Sequence, residues 1–339
     1  MTLPSYRAAW WLPGPHLQTL WGRIGRRAPA IATRIERWDT PDGDFIDVHR
    51  LDGAPDVPRL VLLHGLEGSP RSHYAEGLFA QARRHGWPMD ALVFRSCGDE
   101  PNRLVRSYHS GETGDFDFVM RRLTAAEPAQ PLLLAGVSLG GNVLLKWLGE
   151  RGENVPDTVI AAAAVSVPYD LAKSALHIDR GFARVYQAHF LRSLRRKAEE
   201  KRRRFPDAIR AEAIARARSI WTFDDGVTAP IHGFRDAADY YAQSSSLGFL
   251  SKIRVRTLLL SAVDDPFLPP EVLQRVANIA ASNSVLTTEF TTQGGHVGFV
   301  GGMPWGPRYY LEERVMAFLE EQLHRARRER STRVRAAAR

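Results

Sequence analysis

Three separated segments of the chain carry residue types that together could attack a carbonyl carbon. Gly136-Val137-Ser138-Leu139-Gly140 directly follows an apolar run, Leu132 to Val137, and opens a helix-like stretch. On such a strand-to-helix turn the serine hydroxyl is lifted clear of the backbone. The flanking glycines are needed because a Cβ there would meet the neighbouring strand and helix. The turn also leaves the serine at a helix N-terminus, where partial positive charge favours a developing oxyanion. A serine hydroxyl stays a weak nucleophile until a base takes its proton. That base and the acid orienting it are expected later in the chain, in the order serine, acid, histidine.

Both appear after late strand-like runs. Thr257 to Ser261 is followed by Ala262-Val263-Asp264-Asp265-Pro266-Phe267-Leu268-Pro269. Two adjacent carboxylates cannot both orient one imidazole. A turn closing at a proline four residues on selects Asp265, with Pro269 closing it, and leaves Asp264 to cap the turn and to stand as the alternative acid. Leu286 to Phe290 then leads to Gly294-Gly295-His296-Val297-Gly298-Phe299, whose small residues let an imidazole come close to Ser138. A lone histidine is usually a surface or satisfied core residue; its order and glycine frame argue for His296 as the base. A tetrahedral intermediate needs two N–H donors, and losing one costs about 10²–10³ in rate. One is the backbone N–H of Leu139, directly after the nucleophile. The other is expected from His64-Gly65-Leu66-Glu67-Gly68, where the Leu66 N–H is suitably placed and His64 pins the loop.

Other chemistries find no footing. The chain has no H-E-x-x-H or cysteine-based metal pattern, no G-x-x-x-x-G-K-[ST] loop and no G-x-G-x-x-G after a strand, so no metal and no cofactor are expected. The single cysteine, Cys97, excludes an internal disulfide and reads as a buried structural thiol.

The elements that must hold these residues follow a recognisable pattern. Thr33 to Trp38 and Phe45 to Arg50 flank Thr40-Pro41-Asp42-Gly43 and read as a hairpin. Strands at Leu60 to His64, Ala91 to Arg95, Leu132 to Val137 and Val159 to Val165 alternate with helices at Ala75 to His85, Thr113 to Leu123 and Gly141 to Glu150. Short apolar strands between amphipathic helices indicate an α/β fold with a mostly parallel sheet covered on both faces. The alternation stops for roughly 90 residues, too long for a structureless loop. Helices at Phe182 to Arg196, Ile209 to Ile220 and Ala237 to Ser244 suggest an inserted cap over about 170–250. A last helix is expected from Trp305 to His324. One domain over 1–323 is therefore expected, with an irregular tryptophan- and proline-rich arm at 1–32 and a basic, disordered tail at 324–339.

The formal net charge of +8 is unevenly spread: seven arginines and one glutamate lie beyond His324, and a second basic cluster runs from Arg192 to Arg204. Neither is interleaved with aromatics as a base-stacking platform would be, so no nucleic-acid partner is expected. A solvated helix face and a frayed terminus account for them, with weak attraction to a membrane surface as the sharper reading. Met1 to Pro13 lacks a basic stretch followed by an apolar one, and the longest apolar run, Val159 to Pro168, is half of what spans a bilayer. A cytoplasmic protein is expected.

Several long strings resemble the YheT-like branch of the α/β-hydrolases. They are Gly14-Pro15-His16-Leu17-Gln18-Thr19, His64-Gly65-Leu66-Glu67-Gly68-Ser69, Phe94 to Asn102, Tyr108-His109-Ser110-Gly111-Glu112-Thr113 and Gly136 to Asn142. Phe223-Asp224-Asp225, Ile231-His232-Gly233-Phe234, Asp264 to Phe267 and Gly294 to Phe299 continue the match. The resemblance runs from about Trp10 to Leu323, and the family's eukaryotic relatives include acylglycerol and phospholipid esterases and yeast ethyl-ester synthases. It implies the α/β-hydrolase fold, with Ser138, Asp265 and His296 as a triad and a small-molecule carboxylic ester as substrate. The expected activity is that of a serine carboxylesterase acting on short- to medium-chain or acylglycerol-like esters through an acyl-enzyme. Acyl transfer to an alcohol and a silent, ligand-binding fold are the alternatives. The arginine-rich tail is outside the family pattern, and substrate choice does not carry over.

Overall fold

The computed structural model describes residues 4–26 and 31–337. The chain enters through a helix, α1 (Gly14–Ile24), and then forms the hairpin of β1 (Arg34–Asp39) and β2 (Phe45–Leu51). There Thr40, Asp42 and Gly43 supply the turn, and the strands pair antiparallel from Arg34 opposite Arg50 to Asp39 opposite Phe45. The alternating part follows: β3 (Arg59–Leu63), α2 (His73–Arg84), β4 (Met89–Val93), α3 (Gly114–Ala126), β5 (Leu132–Val137), α4 (Leu139–Arg151) and β6 (Val159–Val165). Six helices come next, α5 (Leu171–His177), α6 (Ala183–Arg204), α7 (Ala211–Arg216), α8 (Ile220–Phe223), α9 (Ala229–His232) and α10 (Ala237–Ser244). The chain then returns to the sheet with β7 (Arg256–Ala262), α11 (Pro270–Ala281) and β8 (Leu286–Thr291). A hairpin of β9 (Val300–Met303) and β10 (Gly306–Tyr309) precedes the last helix, α12 (Tyr310–Ala337).

The eight-stranded sheet has the order β1-β2-β4-β3-β5-β6-β7-β8. From β4 to β8 every neighbour is parallel, and the hairpin joins antiparallel through β2 on β4. This is the α/β-hydrolase fold class. Because β5, β7 and β8 run parallel, the loops leaving them emerge on one edge of the sheet, which is where open parallel sheets bind ligands.

Alternation along each strand builds a core on each face. Val61, Leu63, Leu132, Leu134 and Leu259 pack into one apolar cluster. Leu60, Leu62, Leu133, Ala135, Leu258 and Leu260 pack into the other. The inner strands therefore read as nearly unbroken apolar runs. Each fully buried leucine contributes roughly 1.5–3 kcal/mol, enough for the two layers to hold strained loops at the sheet edge.

Four expectations need correction. The arm is not wholly irregular: α1 is a helix with Pro15 at its start, where the missing N–H costs nothing; residues 1–3 and 27–30 of the arm lie outside the described residues. The last helix does not begin at Trp305. Pro304, Gly306 and Pro307 resist helix formation, and β9 and β10 pair from Gly306 opposite Met303 to Tyr309 opposite Val300. The tail expected to be disordered is helical as far as Ala337; its alanines, arginines and glutamates are good helix formers, and Glu329 accepts from both Arg325 and Arg256 at 3.0 Å. Residues 338 and 339 lie outside the described residues. Finally, the basic cluster on α6 is only partly a solvated face. Lys201 is buried and donates to the carbonyls of Leu104, Val105 and Arg106 at 2.6–3.1 Å. No described helix is long and apolar enough to cross a membrane.

Candidate active site

Ser138 stands at the junction of β5 and α4 with φ 53° and ψ −121°. Such left-handed backbone is unusual for any residue but glycine. Two contacts hold it there: its N–H donates to Val165 O on β6 at 2.8 Å, and its carbonyl accepts from the Asn142 N–H at 3.1 Å. The flanking glycines meet close backbone. A Cβ on Gly140 would lie 2.4 Å from Leu63 O and 2.5 Å from His64 O, and one on Gly136 would lie 2.6 Å from Gly140 O. No rearrangement of a flexible side chain could relieve either contact.

The loops after β7 and β8 bring the acid and the histidine to the same edge. His296 Nδ1 donates to Asp265 Oδ2 at 2.8 Å, and Nε2 of the same ring lies 3.0 Å from Ser138 Oγ. Asp265 and His296 are both buried. The other oxygen of Asp265 accepts from the Phe267 N–H at 2.8 Å, which locks the carboxylate plane. The Phe267 ring stacks on the His296 imidazole, with centroids 4.1 Å apart. Asp264 turns elsewhere and accepts the Gly295 N–H at 2.9 Å. Burial raises the Asp264 pKa, the Gly295 N–H lowers it, and the Asp265 charge raises it again, leaving it above the ordinary carboxylate value.

The loop after β3 lies against Ser138: a Cβ on Gly65 would sit 3.2 Å from Ser138 Cβ. His64 is buried and donates from Nδ1 to Gly65 O at 2.8 Å, while its Nε2 accepts from the Phe94 N–H at 3.2 Å. Burial pushes its pKa down to about 4, so the ring is neutral and serves as a strut. Leu66 and Leu139 line the same pocket as Ser138, and among the described residues neither backbone N–H has a protein acceptor. Cys97 sits apart from this line; burial pushes its thiol up to about 11.

The pocket above Ser138 has a volume of about 1080 Å³. Its roof comes from the helices between β6 and β7, with Phe182, Tyr186 and Phe190 of α6 and its approach among the lining residues. Tyr186 and Phe190 pack on Phe267, with centroids 5.0 and 5.9 Å apart. Among the described residues no group of three or more His, Cys, Asp or Glu side chains is placed to hold a metal ion.

Three supports escape a reading of spacing. Thr19 Oγ1, on α1, accepts the backbone N–H of His296 at 2.9 Å and donates to Pro15 O at 2.7 Å. Gln18 clasps the residue where β9 starts: its Oε1 accepts from the Val300 N–H at 2.8 Å and its Nε2 donates to Val300 O at 3.1 Å. Asn142, one turn after Ser138, donates to Ser110 O and Ser244 O at 2.8 Å and accepts from the Ser246 N–H at 2.9 Å. All three lie inside strings shared with the family, which was the one available signal of a role.

Comparison with known proteins agrees with this fold. The sequence pattern of the alpha/beta hydrolase fold matches residues 58–302. The chain is similar to the candidate esterase YheT of Escherichia coli, 39% identical over 91% of each chain. It is also similar to mouse (Mus musculus) phospholipase ABHD3, 28% identical over 88% of this chain and 74% of that one. Among solved structures, the Pyrococcus furiosus esterase Pf2001 shares the fold, with a TM-score of 0.59 at 15% identity over 88% of this chain and 95% of that one.

Proposed function

Because the chain belongs to the α/β-hydrolase family, we propose that it is a serine carboxylesterase with Ser138 as nucleophile, His296 as base and Asp265 as the acid that orients the base. Ser138 Oγ bonds to the ester carbonyl carbon as His296 Nε2 takes the hydroxyl proton. The carbonyl oxygen becomes an oxyanion, held by the N–H groups of Leu66 and Leu139 at the positive end of α4. The carbon–oxygen bond to the leaving alcohol then breaks, and His296 returns its proton to that alcohol. Water, deprotonated by the same ring, attacks the acyl-serine and releases the carboxylic acid. Asp265 stays ionised throughout and stabilises the imidazolium.

What supports this reading most is the unbroken hydrogen-bonded line from Asp265 through His296 to Ser138, ending on a serine in a strained turn. The aromatic and aliphatic roof of the pocket favours an apolar acyl group of medium length. A fluorophosphonate probe tests the first part. It should label the native chain and fail to label Ser138→Ala; a folded native chain that takes no label would remove the proposal. Across a series of p-nitrophenyl esters, kcat/KM should peak between about four and ten acyl carbons. A flat profile would remove the acyl-pocket assignment.

A further inference from the structure

The loop that carries Leu66 also holds a carboxylate that the acyl-transfer steps do not use. Glu67 has φ 53°, a left-handed backbone in a residue with a full side chain. Its N–H donates to Tyr108 Oη at 2.9 Å, and the same hydroxyl donates back to Glu67 Oε1 at 2.8 Å. Oε1 also accepts from Lys197 Nζ at 2.8 Å, and Oε2 accepts from the Ser193 hydroxyl. Ser193 and Lys197 are one turn apart on α6, so two of the three side-chain partners of Glu67 belong to that helix. The rest of the loop is fastened to α2 and to itself. The Gly65 N–H donates to Tyr74 Oη at 2.8 Å, and the Gly68 N–H donates to Gly65 O at 3.0 Å.

The Leu66 amide is thus bracketed by two fixed amides, one tied to α2 through Tyr74 and the other tied to α6 through Glu67 and Tyr108. A third contact puts α6 at the opposite wall, since Tyr186 and Phe190 pack on the Phe267 ring that covers His296. One helix therefore touches both the oxyanion donor's loop and the base's cover.

We propose that Glu67 is a positioning residue that latches the oxyanion loop to α6, so that the seating of this helix over the pocket and the aim of the Leu66 N–H are set together. The proposal rests on the esterase reading, because it assigns a role to the oxyanion hole of that reaction. With α6 seated, Glu67 is held from both sides and Leu66 faces the carbonyl oxygen. With α6 displaced, Glu67 keeps only Tyr108, and the loop turns about its left-handed residue. An acyl chain packed beneath α6 favours the seated arrangement, which links recognition of the chain to stabilisation of the transition state.

The test uses Glu67→Gln, Lys197→Met and the double variant, assayed on p-nitrophenyl butyrate. Glu67→Gln keeps volume and one acceptor, and each single variant should lower kcat about 10-fold with KM changed less than threefold. The double variant should fall no further than the worse single one, because both cut the same link. Hydrogen exchange of the amides of residues 64–68 should quicken in Lys197→Met, although the substitution is on another element. Wild-type kcat in Glu67→Gln, or additive losses in the double variant, would overturn the latch. A parent chain that neither hydrolyses the ester nor takes a fluorophosphonate would overturn both the latch and the reading beneath it. Unchanged exchange in the loop of Lys197→Met would overturn the latch alone.

Discussion

Asp264 and Asp265 are adjacent in the chain, yet Asp264 Oδ1 accepts the N–H of Gly295 while Asp265 Oδ2 accepts the Nδ1 proton of the next residue, His296. One carboxylate fixes the loop and the other fixes the ring. Substitution should separate the two duties. Asp265→Asn keeps the shape but favours the wrong imidazole tautomer, and kcat on a p-nitrophenyl ester should drop about 10⁴-fold. Asp264→Asn retains an oxygen able to accept from Gly295, and its loss should stay within about 10-fold. Steady-state kinetics of the two variants side by side decides which acid serves the reaction.

Ser138 should be more stable as glycine. At φ 53° the side chain carries a backbone penalty that glycine does not. Ser138→Gly should gain about 1 kcal/mol in urea unfolding while losing all fluorophosphonate labelling. Equal or lower stability would mean that the packing of β5 on β6 relieves the turn entirely.

Thr19 should matter to turnover without touching substrate. Thr19→Val is nearly isosteric but leaves the His296 N–H without its acceptor, and an orphaned amide costs about 1–3 kcal/mol. If that cost is met by a shift of the loop, kcat should fall about 10- to 100-fold at nearly constant KM, with the far-ultraviolet circular dichroism unchanged. A loss confined to KM would place Thr19 in substrate binding instead.

Asp224 gives a pH signature. It is enclosed beside the pocket, with Thr228 Oγ1 and Tyr241 Oη each donating to it at 2.7 Å. Burial outweighs those two bonds and lifts its pKa from 3.8 to about 6. The folded state thus holds this proton more tightly than the unfolded chain. Its contribution is full below 3.8 and is lost as pH rises through about 6. A shift of this size corresponds to about 3 kcal/mol. Between about pH 4 and pH 7, the stability of Asp224→Asn relative to the parent should improve by up to that amount. A constant difference across the range would mean that the carboxyl titrates normally.

The centre of the sheet was readable because its inner strands are buried on both faces and therefore run apolar from end to end, as Leu60 to Leu63 and Leu132 to Leu134 do. Ser138 and Asp265 were readable because each follows such a run and carries turn residues beside it, and His296 because it follows the short strand β8 inside a glycine frame. Other features left no local trace. Gln18 and Val300 are joined across 282 residues by hydrogen bonds that no periodicity announces. Lys201 looks like one more charge in a basic run until its partners prove to be backbone carbonyls of another loop. The β9–β10 hairpin was hidden because Tyr309 and Tyr310 blend into the helical pattern behind them, although Pro304, Gly306 and Pro307 marked the break.

The clasp between α1 and the histidine loop also sets an order of events in biosynthesis. The Ala9 N–H donates to Val300 O, and Thr19 and Gln18 wait for His296 and Val300. Translation proceeds at about 5–20 residues per second, so the early segment emerges some tens of seconds before its partners. The turn at Ser138 can form while the ribosome is still at work, but His296 cannot be set against it until the later loop arrives. Until residues 296–300 have emerged, Ser138 of a nascent chain therefore has no imidazole beside it, and the line from Asp265 through His296 to Ser138 is assembled late, by a contact with the segment made first.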